Sequence, residues 1–243
     1  MKDCPNLGMD IGMLVGYKPQ NVKIESIDNL ENMIESIKST IDVFIDFTIA
    51  DATEKNAKII LNSGISMVIG TTGLSDEFKG ELEKIVKEKE VSIVKSTNMA
   101  VGVNVVFKIA AELAKRLRGW EIEIIEAHHH RKKDAPSGTA LTIAESIADA
   151  RNLDLNNIAK YGRSKGPNPR KWGDEEIGIH SVRGGDIVGD HTILYAGDGE
   201  RIEFKHQAHS RECFASGALE AAKFLKDVKR KGKIFTMKDV LFP

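Results

Sequence analysis

The chain has 243 residues, 41% of them apolar, enough for one large core or two modest ones. Its 35 basic and 36 acidic residues leave a formal charge of -1, which argues against nucleic acid or a membrane surface as partner and leaves a small molecule. Cys4 and Cys213 suit free thiols in a reducing cytoplasm, and no apolar run reaches the roughly 18 residues that span a bilayer or forms a signal-peptide core.

In chain order, Ile41 to Thr48 reads as a buried strand, followed by a helix from Asp51 to Asn62 that stops at Gly64. A second strand, Ser66 to Gly70, a helix from Ser75 to Lys89 and a third strand, Val91 to Val94, continue the alternation. That pattern predicts right-handed βαβ units and a parallel sheet, half of a nucleotide-binding fold. Ligands of such sheets lie beyond the carboxyl ends of the strands, which here carry Phe47-Thr48, Gly70-Thr71-Thr72-Gly73 and Ser96-Thr97-Asn98-Met99. Any one of these loops is as well explained by a turn or a helix cap, but two in succession on one edge favour a dinucleotide.

A dinucleotide sheet should open with a strand, a glycine-rich turn and a helix, roughly 30 residues in all. Before Ile41 there are only Gly8, Gly12 and Gly16, and no apolar strand precedes them. The first domain is therefore expected to be incomplete at its N-terminus, with Met1 an internal methionine or a misplaced start and the chain as it stands inactive. The charged residue that would grip the ribose is missing as well, so the choice between NADH and NADPH stays open.

A helix from Asn98 to Arg118 ends at Gly119, and Trp120 to Ile124 alternates as a half-buried strand does. Next comes Glu126-Ala127-His128-His129-His130-Arg131-Lys132-Lys133-Asp134-Ala135-Pro136-Ser137-Gly138-Thr139-Ala140, with imidazoles on a strand-to-helix loop and Ser137 as the cap of the following helix. Cations beside free helix N–H groups make a site for a carboxylate or phosphate. The alternatives are a solvated basic face or a metal site, but there is no HExxH spacing and no cysteine nearby, so no metal is expected. Alternation would send His128 and His130 to one face and His129 to the other, and a histidine suits proton donation near neutral pH. Lys160 to Gly173, with two prolines and three glycines among five cations, reads as a flexible loop or a solvated connector. Glu176 to Arg183, Ile187 to Ala196 and Glu200 to Gln207 read as antiparallel neighbours, giving with the Trp120 strand a mixed or antiparallel sheet, and Glu212 to Lys229 as the last helix.

The Glu126 to Ala140 segment closely resembles the signature of the dihydrodipicolinate reductase family. Gly70-Thr71-Thr72-Gly73, Asn98-Met99-Ala100-Val101-Gly102-Val103-Asn104 and Ser210-Arg211-Glu212-Cys213-Phe214-Ala215 match the same family in the same order, and the likeness runs from about Asp42 to the C-terminus. The resemblance implies hydride transfer from NADH or NADPH to a cyclic imine dicarboxylate, giving tetrahydrodipicolinate. It implies that Gly70, Thr71 and Thr72 with Ser96, Thr97, Asn98 and Met99 line the cofactor. His128 is then the proton donor, Lys132 a cation or second donor, and His129, Gly138 and Thr139 bind substrate carboxylate, with His130 and Arg131 unassigned. The expected architecture is α/β: an incomplete Rossmann-type domain, residues 1–99 and 210–243, and an α+β substrate and oligomerisation domain, residues 100–209, whose sheets pair in a homotetramer. The alternatives are a non-catalytic fragment or partner subunit of that enzyme, and an NAD(P)-linked dehydrogenase of a small amino-dicarboxylate.

Overall fold

The computed structural model describes residues 4–171, 173–228 and 231–243. In chain order its elements are α1 (Ile11–Leu14), α2 (Leu30–Ile37), β1 (Val43–Asp46), α3 (Ala50–Asn62), β2 (Ser66–Ile69), α4 (Asp76–Glu88), β3 (Ile93–Lys95), α5 (Val101–Arg116) and β4 (Glu121–His128). There follow α6 (Gly138–Arg151), α7 (Leu155–Ile158), β5 (Ala159–Tyr161), β6 (Ile177–Arg183), β7 (Gly189–Gly197), β8 (Glu200–Ala208), α8 (Glu212–Asp227), β9 (Ile234–Phe235) and α9 (Met237–Leu241). The chain divides into two compact units, Met1–Val94 with Phe224–Ile234, and Lys95–Lys223 with Phe235–Pro243. The second unit takes in Ser96–Met99 and most of α8, which the sequence placed with the first.

The first unit holds strands in the order β1-β2-β3-β9, with β1 and β2 parallel from Val43 opposite Ser66 to Asp46 opposite Ile69. Helix α4 shows why these segments fold so. Ser75 Oγ accepts the Phe78 N–H at 3.1 Å, and Phe78, Leu82, Ile85 and Val86 recur on one buried face. They pack with Ile34, Ile60, Leu61, Met67, Ile69 and Ile93 into one core. Among the described residues, the only pairing before β1 is an isolated bridge between Asp10 and Lys23.

The second unit is built on a five-stranded sheet of order β5-β6-β4-β7-β8. The expected antiparallel neighbours are corrected here: β6 runs parallel to β4, while β7 is antiparallel to both β4 and β8. β4 inserts between β6 and β7, and the turn that joins them arches over its end. His129 N–H reaches the Ile187 carbonyl (2.7 Å), and Gly184 N–H the His128 carbonyl (2.9 Å). Ile122, Ile124, Ile177, Ile179, Ile193 and Tyr195 share one core with buried residues of α5 and α6, and Tyr195 OH donates to the Ala110 carbonyl at 2.7 Å. The opposite face carries Ile125 and Val182, 42% and 47% exposed.

The segment expected to be a flexible loop is pinned. Lys160 lies in β5, which pairs with β6. Glu123 receives Arg163 at 3.1 Å, Arg170 at 2.9 Å and His180 at 2.7 Å, and Arg163 also donates to Glu176 at 2.5 Å. Trp172 in this segment, and Lys229 at the end of the expected last helix, lie outside the described residues.

Candidate active site

At the carboxyl ends of β1 and β2 the first unit gathers hydroxyls around one carboxylate. Asp46, 1% exposed, accepts through Oδ1 from Thr48 N–H (2.8 Å) and from the hydroxyls of Thr48 (2.8 Å), Thr53 (3.0 Å) and Thr71 (3.2 Å). The Thr71 side chain is thus turned inward, whereas Thr72 is exposed. A β-carbon at Gly70 would lie 2.4 Å from the Phe47 ring, so glycine is what lets that ring fold against the loop. Phe47, half exposed, and Thr72 thereby stand at the carboxyl-end edge of the sheet.

In the second unit, Asn98 joins two helix starts. Its Oδ1 accepts from Ala100 N–H (2.9 Å) just before α5, and its Nδ2 donates to Thr139 Oγ1 (3.1 Å) in the first turn of α6. A residue expected at the cofactor is thereby bonded to one expected at the substrate. Ser96 Oγ donates to the Asn98 carbonyl (2.7 Å), and Thr97 is exposed. Met99 is buried, and a β-carbon on Gly217 would lie 1.7 Å from its carbonyl oxygen, so α8 approaches it backbone to backbone.

The histidine segment departs from its expected form. His128 is the last residue of β4, not part of the loop, and the period of two puts Ile122, Ile124, Glu126 and His128 on the helix-covered face. Glu126 is fully buried and meets His128 Nδ1 at 2.5 Å. Arg183 grips the same carboxylate at 2.9 and 2.8 Å, and Ser137 N–H donates to it at 3.2 Å. Ser137 Oγ accepts from Ala140 N–H (3.1 Å), capping α6, and lies 3.2 Å from His191 Nε2. Among the described residues the N–H groups of Gly138 and Thr139 have no partner at that first turn, and none of their atoms would lie within 4 Å of a β-carbon on Gly138. The alternation ends at His128: His130 is exposed on a turn with Nδ1 at 2.9 Å from the Gly185 carbonyl, and His129 buries an Nδ1 that has no partner among the described residues. Lys132 Nζ sits 2.9 Å from Asp134 Oδ1. Among the described residues no His, Cys, Asp or Glu group is placed to hold a metal ion.

Burial alone would raise Glu126, but hydrogen bonds from Arg183, Ser181 and His128 outweigh it and hold the carboxyl below its usual range. Burial lowers His128, Glu126 pulls the other way, and Lys132 and Arg183 add repulsion. Burial pushes His191 from 6.5 down to about 4, with repulsion from His128 next in weight. The unfolded chain therefore binds this proton more readily between those values. Stability carried by neutral His191 is complete above pH 6.5 and lost as pH falls through about 4, about 3 kcal/mol in all. His191→Gln should flatten the acid limb of stability against pH in urea unfolding; variant and parent curves that stay parallel would remove His191 as its source.

Glu126 could have been found from sequence as a carboxylate on the apolar face of an alternating strand. Arg183 and His191 carried no such signal, because they reach the site through β6 and β7.

Two family models match the chain: one described as dihydrodipicolinate reductase, N-terminus, over residues 2–99, and one described as dihydrodipicolinate reductase, C-terminus, over residues 102–241. The likeness thus begins at residue 2, not near Asp42. The chain is 47% identical over 237 residues to the 4-hydroxy-tetrahydrodipicolinate reductase of Methanocaldococcus jannaschii, covering 98% of this chain and 84% of that one. It is 49% identical over 239 residues to the enzyme of the same name from Methanococcoides burtonii, covering 98% and 87%. Among solved structures, the dipicolinate-bound dihydrodipicolinate reductase of Paenisporosarcina sp. TG-14 matches with a TM-score of 0.74 at 27% identity, covering 99% of this chain and 87% of that one. An amine dehydrogenase from Mycobacterium smegmatis shares the fold, with a TM-score of 0.54 at 9% identity over 92% and 82% of the two chains. The chain belongs to the dihydrodipicolinate reductase family.

Proposed function

We propose that the chain reduces 4-hydroxy-tetrahydrodipicolinate to tetrahydrodipicolinate, with loss of water, in the diaminopimelate route to lysine, and that it uses NADH or NADPH. Family membership supports this over an amino-dicarboxylate dehydrogenase or a non-catalytic partner. The observation that carries it is the buried Glu126–His128 pair tied to the Ser137-capped start of α6. A reduced nicotinamide, when bound, supplies the hydride. Gly70, Thr71, Thr72, Ser96, Thr97, Asn98 and Met99 are the residues assigned to hold it, in a dinucleotide domain of residues 1–99 and 210–243.

His128, as the imidazolium, delivers its Nε2 proton to the carbon beside the hydride acceptor and is left as the neutral Nδ1–H form, with Nδ1 held by Glu126. Lys132, His129 and the free N–H groups of Gly138 and Thr139 take the substrate carboxylates, within a substrate and oligomerisation domain of residues 100–209. The cytoplasm is the assigned compartment; among the described residues no helix is long and apolar enough to cross a membrane. Pairing of the exposed sheet faces gives the homotetramer assigned from the family.

The direct test is oxidation of NADH and of NADPH by the purified chain with the substrate, and no turnover with either removes the reading. Pyridine-2,6-dicarboxylate should compete with the substrate. Lys132→Ala should weaken that inhibitor by about ten- to a hundredfold at low salt and by less at high salt, since ions screen the lost attraction. Unaltered inhibition would take Lys132 out of the site.

A further inference from the structure

Glu126 stands in the row of β4 that elsewhere carries Ile122 and Ile124, and it is fully buried. A carboxylate there brings no apolar packing and costs several kcal/mol to desolvate unless its lone pairs are filled. They are filled by the site itself. Oε2 meets His128 Nδ1 (2.5 Å) and Arg183 Nη1 (2.9 Å), and Oε1 meets Arg183 Nη2 (2.8 Å) and Ser137 N–H (3.2 Å). Arg183 Nη2 also donates to the Asp134 carbonyl (2.6 Å), on the loop that carries Lys132. The other ring nitrogen of His128 faces Gly189, where a β-carbon would lie 3.1 Å from Nε2 and crowd it.

We propose that Glu126, clamped by Arg183, is the positioning residue of this site: it fixes neutral His128 as the Nδ1–H tautomer, leaving Nε2, beside Gly189, to carry the exchangeable proton, and through Ser137 N–H it sets where the carboxylate-binding start of α6 lies relative to that nitrogen. The inference rests on the reading of His128 as proton donor. An Nδ1–H donated into a buried carboxylate sets the tautomer, because the opposite one would set two lone pairs against each other. Arg183 keeps the carboxylate ionised and tempers its pull on the imidazole. The charged and titratable groups around His128 are Glu126 on its own strand, Arg183 on β6, His191 on β7, and Lys132, itself paired with Asp134, on the loop after β4.

The two partners of the clamp should therefore move His128 in opposite directions. In protein with isotope-labelled histidine, the His128 resonance is the one that His128→Gln removes. Unaltered protein should show neutral His128 protonated on Nδ1. Glu126→Gln should shift that proton to Nε2 and lower the His128 titration by about one pH unit, whereas Arg183→Met should keep the tautomer and raise the titration by about as much. The high-pH limb of kcat/KM should move the same two ways, and Glu126→Gln should lower kcat by about ten- to a thousandfold with cofactor Kd unchanged. Shifts of one sign in both variants, or none, would overturn the proposal. If Glu126→Gln does not fold, Arg183→Met and the unaltered protein decide it, and an Nε2–H tautomer in the unaltered protein overturns it. Failure of His128 as donor is a separate result: the resonance shifts would stand while His128→Ala kept its kcat.

Discussion

His128→Ala should lower kcat by about a hundred- to ten-thousandfold and leave the Kd for NADH or NADPH within about twofold. The reduction needs one proton beside the hydride, and the described structure offers few groups to give it. Lys132 is paired with Asp134, His130 is exposed on a turn, and His129 is half-buried with its Nδ1 turned inward. His128 alone combines a fixed ring, a carboxylate on Nδ1 and a glycine beside Nε2. Because the cofactor residues are assigned elsewhere, the loss should fall on turnover and not on cofactor binding. A loss of kcat smaller than tenfold would take His128 out of the role.

The second large effect concerns assembly. If the exposed sheet faces pair as proposed, Ile125→Asp combined with Val182→Asp should give species smaller in sedimentation than the parent protein. The two side chains lie on the face of the five-stranded sheet opposite the one packed on α5 and α6, 42% and 47% exposed, on the paired strands β4 and β6. In a symmetric pairing of such faces each substitution is met twice, so four carboxylates would be buried without partners at a cost of several kcal/mol each. If that face is instead bathed in water, the same changes should alter stability by no more than about 0.5 kcal/mol. A monomeric parent protein, or a variant that keeps the parent's mass, would exclude the pairing.

Local order was readable in the sequence wherever the cause is local. Ser75 and Ser137 announce their helices because a hydroxyl one residue before the first turn is all a cap requires. The alternation of strands and helices from Val43 to Lys95 follows from short apolar runs broken by glycine and polar turns. Pairing was harder. A glycine pair between two strand-like runs signals a hairpin, yet β6 and β7 lie on either side of β4, because the most apolar alternating strand takes the centre of the sheet. The stretch from Lys160 reads as loop by composition, and Glu123, far back in the chain, joins Glu176 in holding its two arginines. The signature segment put His128 and Lys132 forward as candidates through its resemblance to the family. It gave no hint of Arg183 or His191, whose roles exist only once three strands lie side by side.

These long-range contacts bear on how the enzyme comes into being. Glu126 and Arg183 are 57 positions apart, Ser137 and His191 are 54 apart, and no contact within the signature segment can substitute for either. Such long loops close late, after local helices and hairpins have formed. A chain arrested with β7 and β8 paired but β4 still outside the sheet would have much of its secondary structure and no oriented imidazole. Catalytic competence should therefore arrive in a single late step during refolding, behind the helical signal, when the central strand is finally flanked on both sides.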